Sequence, residues 1–211
     1  MKKSLFEIAQ VFTSKWEGSG NLNGGYVDHP NDKGGATKHG VSIEFLKADA
    51  LKDTAFYLLI GIKLPITKDT IQNLTYDQAT SIFKKKFWDF PLKLDRTALS
   101  APLTTICTYD MCVNSGGVNA TRILQRACNS FPELRPKLDE DGIIGSFTWA
   151  RVNQIGEQDD KALALQQIHY RREYFHAICR SNPKQEVFLK GWLNRADDLQ
   201  RFITETERDV N

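Results

Sequence analysis

The stretch WEGSGNLNGGYVDHPNDKGGATKHGVS, residues 16–42, decides how the rest of the chain is organised. It is rich in glycine and polar residues and shows no regular hydrophobic period. Segments with helical spacing precede it and follow it. A loop of this length is uncommon in a compact domain and is usually functional where it occurs. We therefore expect residues 16–42 to form the functional site.

The segment before this loop is predicted to be a helix. Ser4 and Glu7 have the spacing of a capping box, and apolar residues follow at helical intervals (Leu5, Ile8, Val11, Phe12 and Trp16). The helix should run from about residue 5 to about residue 16. Glu17 then lies at its C-terminal end. There the helix dipole, together with burial against an aromatic ring, would favour a protonated carboxyl, as a general acid requires.

The remainder of the chain reads as helical, with short strands only around Tyr26 and Val41. Helices are predicted over 43–60, from Thr75 to before Pro91, from Ser100 to Gly116, from Asn119, from Ser146 to about Val152, from Asp159 to Asn182, and near the C-terminus. The fold class is therefore predominantly α. We divide the chain into residues 1–98 and a C-terminal helical region, residues 99–211.

Composition excludes several classes of protein. The 211 residues are 41% hydrophobic and 26% charged, which is typical of a soluble globular protein. A net charge of +2 does not indicate nucleic-acid binding, and the run Lys84–Lys86 is expected to be a solvated helix face. No segment of about 18 apolar residues suggests a membrane span. Glu7 and Gln10 interrupt the N-terminal apolar run, so a signal peptide is not predicted.

The four cysteines have no zinc-type or disulfide-type spacing. We expect them to be reduced, buried thiols. Neither a metal nor another cofactor is predicted from this pattern.

The loop contains the groups that cleavage of a glycosidic bond requires. Such a reaction needs an acid to protonate the leaving oxygen, and a second group to supply water or a nucleophile at the anomeric carbon. Glu17 is the candidate acid. Asp32 and Asp28 are candidates for the second group, and the Thr37 hydroxyl for holding a water.

Tyr26 and His29 are candidates for stacking on a sugar or for hydrogen bonding to it. The spacing does not fit an EF-hand loop or a phosphate-binding loop. A metal cluster of His29, His39 and an aspartate stays open. So does the alternative that Glu17 is a surface acid and the glycines only make turns.

Several motifs resemble one known family. Glu17-Gly18, Gly25-Tyr26-Val27 and the run P-x-D-x-G-G-x-T-x-x-G-V-S over residues 30–42 resemble the N-acetylmuramidases of glycoside hydrolase family 108. The resemblance continues through four further motifs: Y-D-x-x-V-N-S-G from Tyr109, L-Q-R-A from Leu124, D-G-I-I-G from Asp141 and G-W-L-N-R from Gly191. The last two resemble a C-terminal peptidoglycan-binding region.

This resemblance implies a lysozyme-like helical fold with a Gly-rich active-site loop. It implies hydrolysis of the β-1,4 bond between N-acetylmuramic acid and N-acetylglucosamine, with Glu17 as the acid and no cofactor. The order Glu17, Asp32, Thr37 is similar to phage-type lysozymes, in which the aspartate and threonine hold the attacking water. Tyr109 and Asn114 would line the substrate groove.

The resemblance also suggests a biological setting. Members include phage and prophage endolysins and secretion activators, so peptidoglycan glycan strands are the expected partner. The chain would be made in the bacterial cytoplasm and act in the periplasm or cell wall. A holin or another export partner would release it.

One feature departs from the family pattern. The residues 19–24 separate Glu17-Gly18 from Gly25-Tyr26, whereas the usual motif is continuous. We expect this insert to bulge outward, because exposed loops tolerate insertions. The alternative is a peptidoglycan-binding or secretion-assisting protein whose hydrolase site has decayed.

Overall fold

The computed structural model describes residues 3–17, 25–28 and 35–210. His29, Asp32 and the insert at 19–24 lie outside the described residues. The chain divides into two compact units. One comprises residues 10–86, and the other comprises residues 1–9 together with 87–211. The predicted boundary at residue 98 stays a prediction.

The first helix, α1 (Leu5–Glu17), contributes residues to both units. Its capping box is confirmed, since the Ser4 amide donates to Glu7 Oε2 at 2.7 Å and the Glu7 amide donates to Ser4 Oγ at 3.3 Å. The hydrogen bonds from Ser4 lower the pKa of Glu7. The helix ends at Glu17, as predicted.

A small antiparallel hairpin follows in the unit of residues 10–86. Its strands are β1 (Thr37–Lys38) and β2 (Val41–Ser42). Val27 adds a third extended segment, because its amide donates to the Thr37 carbonyl at 2.9 Å and its carbonyl accepts the Thr37 amide at 2.8 Å. The predicted strands near Tyr26 and Val41 are confirmed.

Four short helices complete this unit: α2 (Ile43–Ala50), α3 (Thr54–Leu59), α4 (Lys68–Gln72) and α5 (Tyr76–Phe83). The single helix predicted over 43–60 is wrong at its centre, because the Asp53 side chain caps a new helix there. The capping box of Thr75 and Gln78 is confirmed. Thr67 and Thr70 form a further box at α4, which the sequence reading missed.

The basic run Lys84–Lys86 opens a π-helical segment, Lys84–Asp89. Lys85 Nζ lies 2.6 Å from the Asp53 carboxylate and 4.2 Å from the centre of the Phe56 ring. Lys86 Nζ lies 2.8 Å from Asp49 Oδ2, and its side chain is only 18% exposed. The prediction of a solvated face is therefore wrong for Lys85 and Lys86, which form ion pairs with Asp53 and Asp49.

The other unit is built from long helices: α6 (Pro102–Ser115), α7 (Gly117–Asn129), α8 (Ser146–Ser181) and α9 (Glu186–Val210). Helix α6 is central and packs against the other three. Every residue of α6 from Leu103 to Cys112 is buried. This explains why the sequence of α6 shows little amphipathic pattern.

Two predicted helix caps are wrong. The Asn119 amide group donates to the Ser115 carbonyl at 2.8 Å, while α7 already begins at Gly117. The backbone reverses at Gly116, whose φ of 83° favours glycine. Helix α8 begins at Ser146 itself, after Gly145, without a side-chain cap.

The predicted helix start at Asp159 is confirmed as a kink within α8. Asp159 has non-helical backbone angles, and its carboxylate accepts the Ala162 amide at 2.8 Å. The kink places Asp160 against the start of α6, where its carboxylate accepts the amides of Leu103 at 2.6 Å and Thr104 at 3.0 Å. Burial raises the pKa of Asp160 despite these hydrogen bonds. A side chain at the kink of α8 thus caps the N-terminus of α6.

Three buried charges join the long helices. Asp110 on α6 is 0% exposed and accepts from Arg171 Nη1 on α8 at 2.6 Å and from Arg195 Nη2 on α9 at 2.7 Å. Burial alone would raise the pKa of Asp110, but Arg195 and Arg171 outweigh it and lower the pKa to about 2. This cluster links the motif at Tyr109 to the motif at Gly191.

The predicted predominantly α, lysozyme-like fold is confirmed. The cysteines are unpaired thiols, of which Cys107, Cys112 and Cys128 are buried and Cys179 is half-buried. In the described part of the chain, no helix is long and apolar enough to cross a membrane.

Replacing Asp110 should destabilise the long-helix unit. Asp110→Asn would leave two buried guanidinium groups without a counter-charge, so we expect a loss of about 3–5 kcal/mol in the free energy of unfolding. The matched control is Asp197→Asn, because Asp197 is 56% exposed and pairs with Arg172 at 2.6 Å. The control should lose less than about 1 kcal/mol. Urea unfolding measures both.

The same aspartate makes the free energy of unfolding depend on pH in the acid range. The pKa of Asp110 is about 2 in the folded protein, below the ordinary value of 3.8. Its contribution is therefore complete above about pH 4 and is lost as the pH falls toward 2. The free energy of unfolding of the wild type should fall more steeply over this range than that of Asp110→Asn. Equal slopes would contradict this assignment.

Candidate active site

Glu17, the last residue of α1, is half-buried and packs against the turn of the hairpin. A Cβ atom on Gly40 would lie 2.8 Å from Glu17 Cβ and 3.2 Å from Phe83 Cζ. Only a glycine lets the backbone approach the Cβ and Cγ atoms of Glu17, which form the stem of its side chain, this closely. The turn therefore fixes the position of the Glu17 side chain.

The turn itself has a defined geometry. His39 and Gly40 have φ values of 52° and 77°, so both central residues are left-handed, as in a type I′ hairpin turn. The flanking pairs are Lys38 with Val41 and Thr37 with Ser42. The hairpin register therefore sets which backbone atoms face the stem of Glu17.

Thr37 lies in the middle strand of this three-stranded arrangement, between Val27 and Ser42. Its hydroxyl donates to the Gly35 carbonyl at 3.2 Å. A hydroxyl that donates one hydrogen bond still has lone pairs to accept another from water. Thr37 is thus a group with a fixed orientation that is chemically able to position a water molecule.

Tyr26 and Asp28 form a cluster with Lys68, which the sequence reading did not identify. Lys68 Nζ lies 2.8 Å from Asp28 Oδ2, and the Tyr26 hydroxyl donates to the same oxygen at 3.4 Å. Hydrogen bonding to Asp28 raises the pKa of Lys68. Burial, and then the charge of Asp28, raises the pKa of Tyr26. Asp28 is therefore charge-compensated, and the Tyr26 ring, 36% exposed, presents a surface for stacking.

His39 is an uncharged polar group beside this site. Burial and the nearby charge of Lys38 lower the pKa of His39, although a hydrogen bond with the Leu74 backbone acts in the opposite direction. Its Nδ1 atom is buried and has no hydrogen-bond partner among the described residues. Within the described ranges, no group of three His, Cys, Asp or Glu side chains is arranged to hold a metal.

Tyr109 and Asn114 belong to the long-helix unit. Tyr109 is 0% exposed, with its ring 5.7 Å from that of Phe6 and 5.5 Å from that of Trp88. It is a core residue here, which corrects the expectation that its ring lines a groove. Asn114 is half-buried near the end of α6 and accepts from the Ser115 hydroxyl at 3.2 Å.

A carboxylate at a helix end, held against a small hairpin in a mainly helical chain, is consistent with the lysozyme-like class of glycosidases. Residues 12–116 match the family model described as Glycosyl hydrolase 108, and residues 119–197 match the model described as Predicted Peptidoglycan domain. The chain belongs to glycosyl hydrolase family 108 and carries this peptidoglycan domain. It is a glycoside hydrolase that acts on peptidoglycan.

The fold is also seen in a solved structure. Brucella abortus SagA superposes with a TM-score of 0.61 at 23% sequence identity, over 95% of this chain and 94% of that chain. At this identity the likeness shows the fold alone. A comparison with curated proteins found no match.

The close contact at Gly40 predicts a specific mutational effect. Gly40→Ala should reduce hydrolysis at least about tenfold, because the added methyl displaces the Glu17 stem and catalytic groups tolerate little displacement. The left-handed φ adds a destabilisation of about 1–2 kcal/mol. Turbidity clearance of purified peptidoglycan and thermal unfolding measure the two effects.

Gly25→Ala is the matched control, because a Cβ there would meet nothing within 4 Å. This variant should keep wild-type activity. If Gly40→Ala were as active as Gly25→Ala, the turn would not position Glu17.

Proposed function

We propose that the chain hydrolyses the β-1,4 bond between N-acetylmuramic acid and N-acetylglucosamine, with Glu17 as the general acid. The observation that carries this proposal is the contact of the Gly40 backbone with the Glu17 stem. It holds the Cβ end of the Glu17 side chain at a rigid helix end beside a hairpin, which limits the positions from which the carboxyl group can donate a proton.

Thr37 and Asp32 complete the proposed mechanism. Glu17 protonates the leaving oxygen, and a water positioned by Thr37 and Asp32 attacks the anomeric carbon. The orientation of the Thr37 hydroxyl by Gly35 supports its part in this step. Inversion would follow if the carboxyl groups of Glu17 and Asp32 were about 6.5–9.5 Å apart, and retention if they were about 5 Å apart.

Tyr26 is the proposed sugar-stacking residue. Asp28 and Lys68 fix its hydroxyl end, which leaves the ring face for substrate. Aromatic rings held in this way give contact area at little entropic cost. His29 is proposed as a further substrate contact.

The proposed setting is the periplasm or cell wall, where peptidoglycan lies, with a role as an endolysin or secretion activator of a phage or prophage. Delivery would then depend on a holin or another export partner. Expression with and without a holin tests this part of the proposal. Lysis that needs both proteins supports it, and lysis by the hydrolase alone contradicts it.

Glu17→Gln should lower the rate of peptidoglycan hydrolysis about 10²–10⁴-fold, because the amide has the same shape but cannot donate an acidic proton. Glu44→Gln is the matched control, since Glu44 is 58% exposed and pairs with its helix neighbour Lys47. The control should retain full activity. Hydrolysis by Glu17→Gln at the wild-type rate would exclude Glu17 as the acid.

Mass spectrometry of the products identifies the bond. Reducing-end muramic acid is expected. Reducing-end glucosamine would indicate a glucosaminidase, and an anhydro product a lytic transglycosylase. Binding to insoluble peptidoglycan without any reducing ends would instead favour the non-catalytic alternative.

A further inference from the structure

A cavity of about 540 Å³ lies in the unit of residues 87–211. The segment from Pro136 to Gly145 forms one side, and the first turns of α8 form the other. Its volume is in the range of ligand-binding pockets. None of its lining residues is part of the candidate site around Glu17.

The walls of this cavity are held in place by hydrogen bonds. Gln125 donates to Asp141 Oδ1 at 2.8 Å and accepts the Gly142 amide at 3.0 Å. Asn129 accepts the Leu138 amide at 2.8 Å. Arg151 Nη2 donates to the Pro136 carbonyl at 3.0 Å and so bridges the two sides. A cavity braced in this way is preformed for a ligand.

Charges of both signs line the cavity. Lys137 and Arg151 are its cations, and Asp139 and Asp141 are its anions. The Asp141 carboxylate already accepts hydrogen bonds from the side chain of Gln125 and from the Ile143 amide. Within the described residues, Lys137, Arg151 and Asp139 form no ion pair.

The two cations differ in how far the protein satisfies their hydrogen-bond donors. Lys137 donates to the Phe131 carbonyl at 3.1 Å and to the Asn129 carbonyl. Burial and the nearby charges of Arg135 and Arg151 lower the pKa of Lys137. The Nη1 atom of Arg151 is buried without a hydrogen-bond partner among the described residues. An unpaired buried donor is costly, and a carboxylate ligand would remove that cost.

Apolar side chains form the rim of the same cavity. Phe147 is 84% exposed and Ile143 is 71% exposed, although both are large and hydrophobic. Exposed apolar groups beside a polar pocket often indicate a binding surface. The expected ligand therefore has charges of both signs and apolar groups between them.

We propose that this cavity binds the peptide stem of peptidoglycan. A stem carboxylate would lie on Arg151 and Lys137, the amine of the diamino residue on Asp139, and the alkyl parts of the stem on Phe147 and Ile143. The glycan itself lacks such charges, because the lactyl carboxyl of muramic acid is joined to the stem as an amide. The proposal rests on peptidoglycan being the substrate, as the proposed function requires.

The full chain carrying Glu17→Gln serves as a binding protein that should not cleave its ligand. The probes are a disaccharide-tetrapeptide muropeptide, the free tetrapeptide, and the same disaccharide without peptide, with its lactyl carboxyl converted to the primary amide so that the probe stays uncharged. Calorimetry should show binding of the first two with similar affinity at one site. Adding Arg151→Gln should weaken both at least about tenfold, because a charge-assisted hydrogen bond is lost.

Two further variants keep the test decisive. Phe147→Ala changes an exposed side chain, so it should fold normally and still weaken peptide binding. Arg172→Gln is the matched control, because Arg172 is a cation of the same unit outside this cavity, paired with Asp197. It should bind like the parent protein.

Three results would overturn the proposal: equal binding by Phe147→Ala and the parent, binding of the peptide-free disaccharide at this site, or no binding of either peptide probe. Hydrolysis of insoluble peptidoglycan by the protein with Glu17 intact is measured alongside. If hydrolysis persists while peptide binding is absent, the stem-binding site is wrong and the proposed function stands. If peptide binding persists without hydrolysis, the proposed function is wrong and the stem-binding site stands.

Discussion

The constraint on which the long-helix unit depends is the buried charge of Asp110. A buried carboxylate is stable only with close counter-charges, and Arg171 and Arg195 provide them from two other helices. Helix α6 lies within the glycosyl hydrolase match at 12–116, while α8 and α9 contribute from the peptidoglycan-domain match at 119–197. The part of the first matched segment from residue 87 onward therefore shares a core with the second matched segment. Removing the second segment would leave Asp110 without either arginine.

A different kind of constraint acts at Glu17. Steric contact holds this site, since Gly40 lies against the Glu17 stem and leaves no room for a Cβ. Near this site, Lys68 compensates the charge of Asp28. Burial and Lys38 also keep His39 uncharged. The proton chemistry proposed for Glu17 therefore depends on where this contact directs its side chain.

The sequence predicted features that depend on near neighbours. The capping boxes at Ser4 and Thr75, and the helix end at Glu17, follow from residues three or four positions apart. Prediction from the sequence failed where the two interacting residues are distant from each other in the chain. The pairing of Lys68 with Asp28 spans 40 residues, and the capping of α6 by Asp160 spans more than 50. Hydrophobic periodicity contains no information about such pairs, so the structure had to supply them.

Motif residues and binding residues play different parts in this chain. Asp110, Gln125 and Arg195 all lie in motifs that carry the family resemblance, and each makes buried contacts that hold the fold. Of the side chains proposed to contact the peptide stem, Ile143 lies in such a motif, whereas Asp139 and Phe147 lie outside the motifs. Groups that stabilise the fold are satisfied by the protein, whereas exposed groups such as Asp139 are satisfied by water until a ligand replaces it. In the peptidoglycan domain, unsatisfied polar atoms and exposed aromatic rings are therefore better guides to the ligand than the motifs.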